Sequence, residues 1–365
     1  MKKRIFVGQL VDRDNNNPQC LNTRAILSRL TNADIEWIVP HYGEPDSFLV
    51  SKKKIRLIKL WRGRLWQWHK ALLYQLSVDA IFYPGAYWFD DIPLQLRKLT
   101  GRKVPVIATL EGLAGDDVRQ RYFSKRAGHP VYCQEVPNWL LQRIDQVLNN
   151  ADHIVGISPF LSQMGETLYG NKFSVIPLGI NSKVFCLAST EKKSNRPTIV
   201  GVGSFQPRKR AELFIELAQR FPQADFVWYG DGERRQDLIE LVGQKKLLNV
   251  SYPGPVSHNS LAEIYRSANL FVLPANSEGV PKVTQEAAAC GLPSIVFGFY
   301  EAPTVVDGKN GYVVWNDEEL FARVELLITQ PEKACAMGAT GAEMARAWDW
   351  DKVAMRWEEE ILKFV

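Results

Sequence analysis

No stretch of this 365-residue chain reaches the roughly 18 to 20 consecutive apolar residues that a membrane-spanning helix needs, so any membrane contact is expected to be peripheral. Cysteine is scarce. The five thiols, Cys20, Cys133, Cys186, Cys290 and Cys335, are odd in number and scattered, without a Cys-x-x-Cys pair. That argues against a disulfide framework or a structural zinc site and fits a reducing cytoplasm. The five histidines, His41, His69, His129, His153 and His258, show no metal-ligand spacing and no pairing with a nucleophile. Charge of one sign is not in excess: the formal value of +5 implies no nucleic-acid partner. No repeat of solenoid period is present. The charged opening Met1-Lys2-Lys3-Arg4 precedes an apolar run that stops at Asp12 without a small-residue cleavage site, and this reads as a first buried strand rather than a leader.

With 46% hydrophobic and 23% charged residues, the chain is of ordinary globular composition and longer than one core usually serves, so two domains are expected. Short β-branched apolar runs alternate with longer helical patterns from end to end, the signature of α/β folds with parallel sheets. In the first half the strands are expected at Arg4 to Val11, Ile35 to Val39, Ala80 to Tyr83, Val104 to Leu110, His153 to Ile157 and Phe173 to Pro177. The second half restarts the pattern at Thr198 to Gly203, Asp225 to Tyr229, Val250 to Tyr252, Leu270 to Pro274, Ser294 to Phe297 and Gly311 to Val314. Between them the polar, proline-ended segment Ser189 to Pro197 suits a linker. The expected division is therefore 1–188, 189–347 and a closing amphipathic helix in 348–365.

Two segments carry chemistry. Gly201-Val202-Gly203-Ser204-Phe205-Gln206-Pro207-Arg208-Lys209-Arg210 follows a strand and precedes a helical pattern, Ala211 to Phe221. Glycines let a backbone approach a phosphate, and Arg208 and Lys209 add full charges, so an anion suits this turn as well as a plain basic surface does. The dinucleotide fingerprint is incomplete, because Gln206 stands where its third glycine belongs. The stronger segment runs from Pro274 to Pro293. Pro281 and Gly291 bracket a helix of about three turns, which leaves Glu278 on the loop before it and Glu286 about a turn and a half inside. Two carboxylates can then bracket one ligand, one of them binding vicinal hydroxyls while the helix N-terminus faces a diphosphate.

The Glu278 to Glu286 spacing, Tyr229-Gly230-Asp231-Gly232-Glu233, Asp307-Gly308-Lys309-Asn310-Gly311, Ala151 to Ser158 and Val175 to Asn181 together resemble the family 4 retaining glycosyltransferases. The resemblance implies the GT-B fold, two Rossmann-like domains facing each other across a cleft, with 348–365 crossing back to the first. It implies a retaining hexosyl- or related transferase, moving sugar from a nucleoside-diphosphate donor to a hydroxyl of a glycan, glycolipid or small glycoside. By the same resemblance Lys209 falls on the diphosphate-binding lysine, Glu286 on the ribose-binding glutamate and Glu278 on the glutamate that contacts the transferred sugar. The donor set adds Gly203, Ser204, Gly230, Asp231, Gly232, Val256, Gly279, Val280, Pro281, Lys282 and Val283, with Gly8 and Gln9 on the acceptor side. Three positions depart from the family pattern. Ser204 stands where arginine is usual, Thr304 near a common glutamate, and Glu111 near the expected active-site histidine; Arg208 can compensate for Ser204. Glu111 is read either as a direct participant beside Glu278, Lys209 and Arg208, or as a loop carboxylate.

No cofactor or metal is expected. Asp12-Arg13-Asp14 and Asp349-Trp350-Asp351 have Asp-x-Asp spacing, but neither position suits a donor-bound metal. Ser51 to Lys70 carries eight Lys/Arg and no acid, interleaved with Trp and Leu. It reads as an interfacial helix on an anionic membrane surface, here the inner face, or as a helix packing its apolar side inward. Arg119 to Arg126 reads as a border of the acceptor site or a mobile charged loop. Two rivals stand beside the transferase: a non-catalytic sugar- or nucleotide-binding relative, and a peripheral membrane scaffold.

Overall fold

The structure, a computed structural model, describes residues 2–13, 18–60, 77–85, 101, 104–170, 172–187 and 196–365. Asp14, Trp61 to Lys70 and the linker residues Ser189 to Asn195 therefore lie outside the described residues. The chain forms two compact units. The first comprises Met1–Arg119, Cys133–Gly179 and Trp350–Val365, and the second Gln120–Tyr132 and Ile180–Asp349. The division falls at Gly179, ahead of the polar segment expected to mark it. Ile180 and Phe185 explain this, because both already belong to the second unit's core and the Ile180 amide bonds the Trp348 carbonyl.

The strands of the first unit are β1 (Lys3–Val7), β2 (Ile35–His41), β3 (Ile55–Lys59), β4 (Ala80–Tyr83), β5 (Val106–Leu110), the two-residue pair β6 (Ala114–Gly115) and β7 (Gln134–Glu135), β8 (His153–Gly156) and β9 (Phe173–Val175). Seven of them form one parallel sheet in the order β3-β2-β1-β4-β5-β8-β9. Central strands such as Ile81-Phe82-Tyr83 and Val106 to Leu110 are buried throughout, which is why they read as unbroken apolar runs: helices cover both faces of a parallel sheet. The helix Trp350–Leu362 packs in this unit against Pro18–Leu27. Its buried Trp357 donates to the Pro177 carbonyl at 3.2 Å. Its buried Glu358 carboxylate accepts from the Thr31 and Asn32 amides at 2.8 to 3.0 Å and from the Thr31 hydroxyl at 2.7 Å. These donors offset the desolvation of that charge.

Two sequence expectations are corrected here. Residues 51–60 are not helical. Ile55–Lys59 is β3, paired in parallel with β2, with Ile58 and Leu60 turned inward. Alternation of Ile and Leu with Lys and Arg suits a half-exposed strand at period two, which the interleaved tryptophans beyond it obscured. The basic stretch Arg119 to Arg126 is not a loop; it lies in the helix Asp117–Ala127.

The second unit holds β10 (Thr198–Val202), β11 (Asp225–Tyr229), β12 (Val250–Gly254), β13 (Leu270–Leu273), β14 (Ser294–Phe297) and β15 (Gly311–Val314). They form a parallel sheet in the order β12-β11-β10-β13-β14-β15. Strands β10 to β12 build outward on one side and β13 to β15 on the other, so the order reverses between β10 and β13. The first unit has the same reversal between β1 and β4. Ligands of open α/β sheets bind at the carboxyl ends of strands flanking such a reversal. Packing beneath this point is aromatic: Phe214 and Trp228 meet edge to face with centroids 5.1 Å apart.

Candidate donor site at the strand reversal of the second unit

The carboxyl ends of four adjacent strands carry the expected donor set. Gly203 to Lys209 follow β10, Gly230 to Gly232 follow β11, Val256 follows β12, and Asn276 to Glu286 follow β13. Val256, on the outermost of the four, is exposed. The two glycine turns lie on one another. The Gly203 amide donates to the Tyr229 carbonyl at 3.0 Å, Phe205 N to the Asp231 carbonyl at 3.1 Å, and Trp228 Nε1 to the Gly203 carbonyl at 3.0 Å. Gly230 has φ 147°, and a Cβ there would stand 1.9 Å from the Gly203 carbonyl oxygen. Only glycine fits that approach. Gly230 therefore shapes the turn rather than merely leaving room for a ligand.

Beyond β10 the chain makes one 3₁₀ turn, Pro207–Lys209, and leaves it through Arg210 in the left-handed region at φ 53°. Arg210 is drawn away by Asp317, which accepts twice from its Nη2 at 2.7 and 2.8 Å, and its guanidinium lies over the Phe297 ring. Arg208 and Lys209 turn instead toward Glu278. Arg208 Nη1 lies 3.2 Å from Glu278 Oε1 and donates to the Ser277 carbonyl at 2.6 Å, while Lys209 Nζ pairs with the same Oε1. The Asn276 amide donates to the Arg208 carbonyl at 2.8 Å, tying the loop after β13 to the turn after β10. Lys209 and Glu278 are nearly enclosed, whereas Arg208 is largely exposed. Burial pushes the Lys209 ammonium below the usual lysine range; Glu278 pulls it back up and Arg208 pushes it down.

The helix after β13 is Lys282–Ala289, entered through Pro281 and left through Cys290 with Gly291 at φ 76°. Proline before and glycine after are the boundaries the sequence indicated. Glu286 is buried, and burial pushes its carboxyl up to about 7, with Lys282 pulling the other way. No described donor hydrogen-bonds to that carboxylate. Val280 is buried, and Val283 packs against the core. Thr304 is an interior residue, 2% exposed, its hydroxyl 2.6 Å from that of Thr284, which in turn lies 2.7 Å from the Pro281 carbonyl. This interior position accounts for the absence of a glutamate at residue 304. Tyr300, unmarked by any motif, is fully buried with a hydroxyl that no described group accepts, in the field of Glu278 and Arg208.

In the first unit Gly8 and Gln9 follow β1 and Glu111 follows β5, again at carboxyl ends beside the reversal. The three Asp-x-Asp carboxylates within the described residues are each engaged. Asp12 accepts from the Tyr42 and Gly43 amides, Asp349 from the Ser182 hydroxyl, and Asp351 pairs with Arg29. Among the described residues no group of three His, Cys, Asp or Glu stands together as a metal site, and no helix is long and apolar enough to cross a membrane.

Two parallel Rossmann-like sheets, each with a reversal and a polar cluster at its strand ends, define the GT-B class of fold. Sucrose-phosphate synthase from Thermosynechococcus elongatus superposes with a TM-score of 0.79 over 99% of each chain at 20% identity. Anabaena HepE, solved in complex with UDP-glucose, superposes with a TM-score of 0.72 over 100% of each chain at 16% identity. Residues 186–344, all within the second unit, match the family model described as glycosyl transferases group 1. A GDP-mannose-dependent monoacylated alpha-(1-6)-phosphatidylinositol monomannoside mannosyltransferase of Corynebacterium glutamicum is 25% identical over 277 residues, 68% of this chain and 72% of that protein. Across the curated relatives the matched stretch spans from 31% to 72% of their own length.

Proposed function

We propose that the protein transfers a glycosyl group from a nucleoside-diphosphate sugar to an acceptor hydroxyl of a glycan, glycolipid or small glycoside, with retention and without a metal. The observation that carries this reading is the cluster at the β10/β13 reversal: two cations and two glutamates at adjacent strand ends, one glutamate buried without a hydrogen-bond donor among the described residues. Lys209, Arg208 and the helix N-terminus at Val280 to Val283 hold the diphosphate, Glu286 accepts from a hydroxyl pair of the nucleoside ribose, and Glu278 takes hydroxyls of the transferred sugar. As the anomeric C–O bond to the diphosphate breaks and the bond to the acceptor oxygen forms, the acceptor proton passes to the departing phosphate. The positive groups stabilise the charge growing there. Glu278 offsets the cations until the diphosphate takes its place beside them. The experiment is a thermal-shift and hydrolysis screen against UDP-, GDP-, ADP- and TDP-sugars with and without EDTA. Stabilisation by one donor class with slow, EDTA-insensitive sugar release is expected. Binding without release would favour a non-catalytic relative, and no stabilisation by any donor would overturn the assignment.

A peripheral contact with an anionic bilayer is the second part of this reading. It rests on Phe48 and Val50, 73% and 60% exposed on a short helix, followed by the exposed Lys52 and Lys53. Apolar tips beside lysines suit the lipid interface, each cation there contributing about 1 kcal/mol. Vesicles rich in phosphatidylserine should carry the protein in flotation, and the triple variant Phe48→Ser, Lys52→Glu, Lys53→Glu should stay behind. Equal flotation of the variant would sink this contact.

A further inference from the structure

The helix Pro18–Leu27 leaves β1 and brings two polar side chains back under the carboxyl end of the first unit's sheet. Asn22 and Thr23 are buried, at 2% and 0% exposure, where an ordinary helix of a parallel sheet presents apolar groups. Asn22 Nδ2 donates to both oxygens of Glu111, at 3.3 and 3.4 Å, across 89 residues of sequence. The Thr23 hydroxyl lies 2.5 Å from Gln9 Oε1 and 2.8 Å from the Gln19 carbonyl. The strands that end here are β1 and β5, separated only by β4, which adjoins β1 at the order reversal. One helix face therefore fixes the side chains that follow two different strands. With Oε1 engaged, the Gln9 amide nitrogen is turned toward other partners, and no described group bonds it. Buried polar side chains are costly unless they are satisfied, and here they satisfy the two groups that border the ligand edge.

We propose that Asn22 is a positioning residue: it sets the Glu111 carboxylate so that Glu111, with the Gln9 amide, reads adjacent hydroxyls of a sugar acceptor. A carboxylate accepts from one hydroxyl while an amide N–H donates to its neighbour, a pairing that suits a vicinal diol and rejects a deoxy analogue. This rests on the transferase reading above, and it explains why a carboxylate at this strand end works as more than a loop charge. Replacing Asn22 with Asp puts two carboxylates within hydrogen-bond reach, so that one must keep a proton for both to remain in place.

The test uses the full chain, UDP-glucose and GDP-mannose as donors, and octyl gluco-, galacto- and mannosides as acceptors, with donor hydrolysis in the absence of glycoside measured in parallel. Asn22→Ala should raise the acceptor KM about tenfold or more and leave glycoside-free hydrolysis within twofold of wild type, and Glu111→Gln should raise the acceptor KM at least as much. Asn22→Asp should restore the acceptor KM toward wild type at acidic pH and lose it as pH rises, a profile that wild type lacks. A packing role alone predicts no such pH dependence. Unchanged acceptor KM in Asn22→Ala, a parallel fall of hydrolysis and melting temperature, or a wild-type pH profile in Asn22→Asp would each overturn the proposal. So would a wild type that hydrolyses donor but shows no saturable dependence on any glycoside. A wild type that neither binds nor hydrolyses either donor would instead overturn the transferase reading beneath it.

Discussion

Glu286→Gln is expected to stabilise the ligand-free protein at pH 8 and at the same time to weaken nucleotide binding about 100-fold. The opposite signs follow from one fact. The Glu286 carboxyl is buried and pushed up to about 7 from the ordinary 4.5, with Lys282 pulling the other way and no hydrogen-bond donor to its charge among the described residues. Between those two values the folded protein keeps a proton that the unfolded chain releases. Stability therefore falls as pH rises from about 4.5 to about 7 and stays flat above that. A shift of that size corresponds to about 3 kcal/mol, or roughly 5 to 10 °C in melting temperature for a unit of this size. Glutamine has the same shape and no charge, so it escapes the loss. What it cannot do is accept two charge-assisted hydrogen bonds from ribose hydroxyls, and those carry the affinity. Binding of UDP or GDP to wild type should strengthen about tenfold per pH unit on approaching pH 7 from below and level off above it. Glu286→Gln should bind with a flat pH profile. Melting curves of both proteins from pH 5 to 8, with and without 1 mM UDP or GDP, read each effect. Parallel melting profiles for the two proteins would refute the buried-charge account, and equal nucleotide stabilisation would refute the ribose role.

The loop and helix after β13 were legible in the sequence because their signals are local. Pro281 and Gly291 bound a single helix, and Glu278 and Glu286 take their places from it, eight residues apart on one loop and helix. Gly230 was legible as a glycine turn, but its reason was not. The carbonyl it must clear belongs to Gly203, on the neighbouring strand end. Asn22 was invisible for the same physical reason in stronger form, since its partner Glu111 is 89 residues away and only the strand order brings them together. Strand β3 was misread because Ile55 to Lys59 sits inside a basic, aromatic stretch whose composition suggests an amphipathic helix; pairing with β2 settles its period. Thr304 was read by resemblance as standing near a common glutamate, while its hydroxyl faces Thr284 in the interior. In each case the missing information was a contact between segments that the sequence holds apart.

The second large effect concerns Lys209. Lys209→Met keeps the aliphatic stem and removes the charge, and it is expected to lower donor turnover by about 10²- to 10³-fold, the usual loss when one preorganised positive group is withdrawn from a developing anion. Stability should change far less. Removing one member of an enclosed ion pair is costly when the other is left alone, but Glu278 keeps Arg208 at 3.2 Å, and Arg208 is open enough to solvent to rearrange around it. The double variant Lys209→Met, Glu278→Gln separates the two roles. With no enclosed charge left stranded and Arg208 open to solvent, its melting temperature should return to within a few degrees of wild type, while turnover should stay as low as in the single variant or fall further. A purely structural lysine predicts instead that stabilisation by UDP or GDP, which carry no sugar for Glu278 to hold, recovers in the double variant as stability does. Turnover of Lys209→Met within a few-fold of wild type would remove Lys209 from the diphosphate site. The donor would then have to be held by Arg208 and the Lys282–Ala289 helix alone.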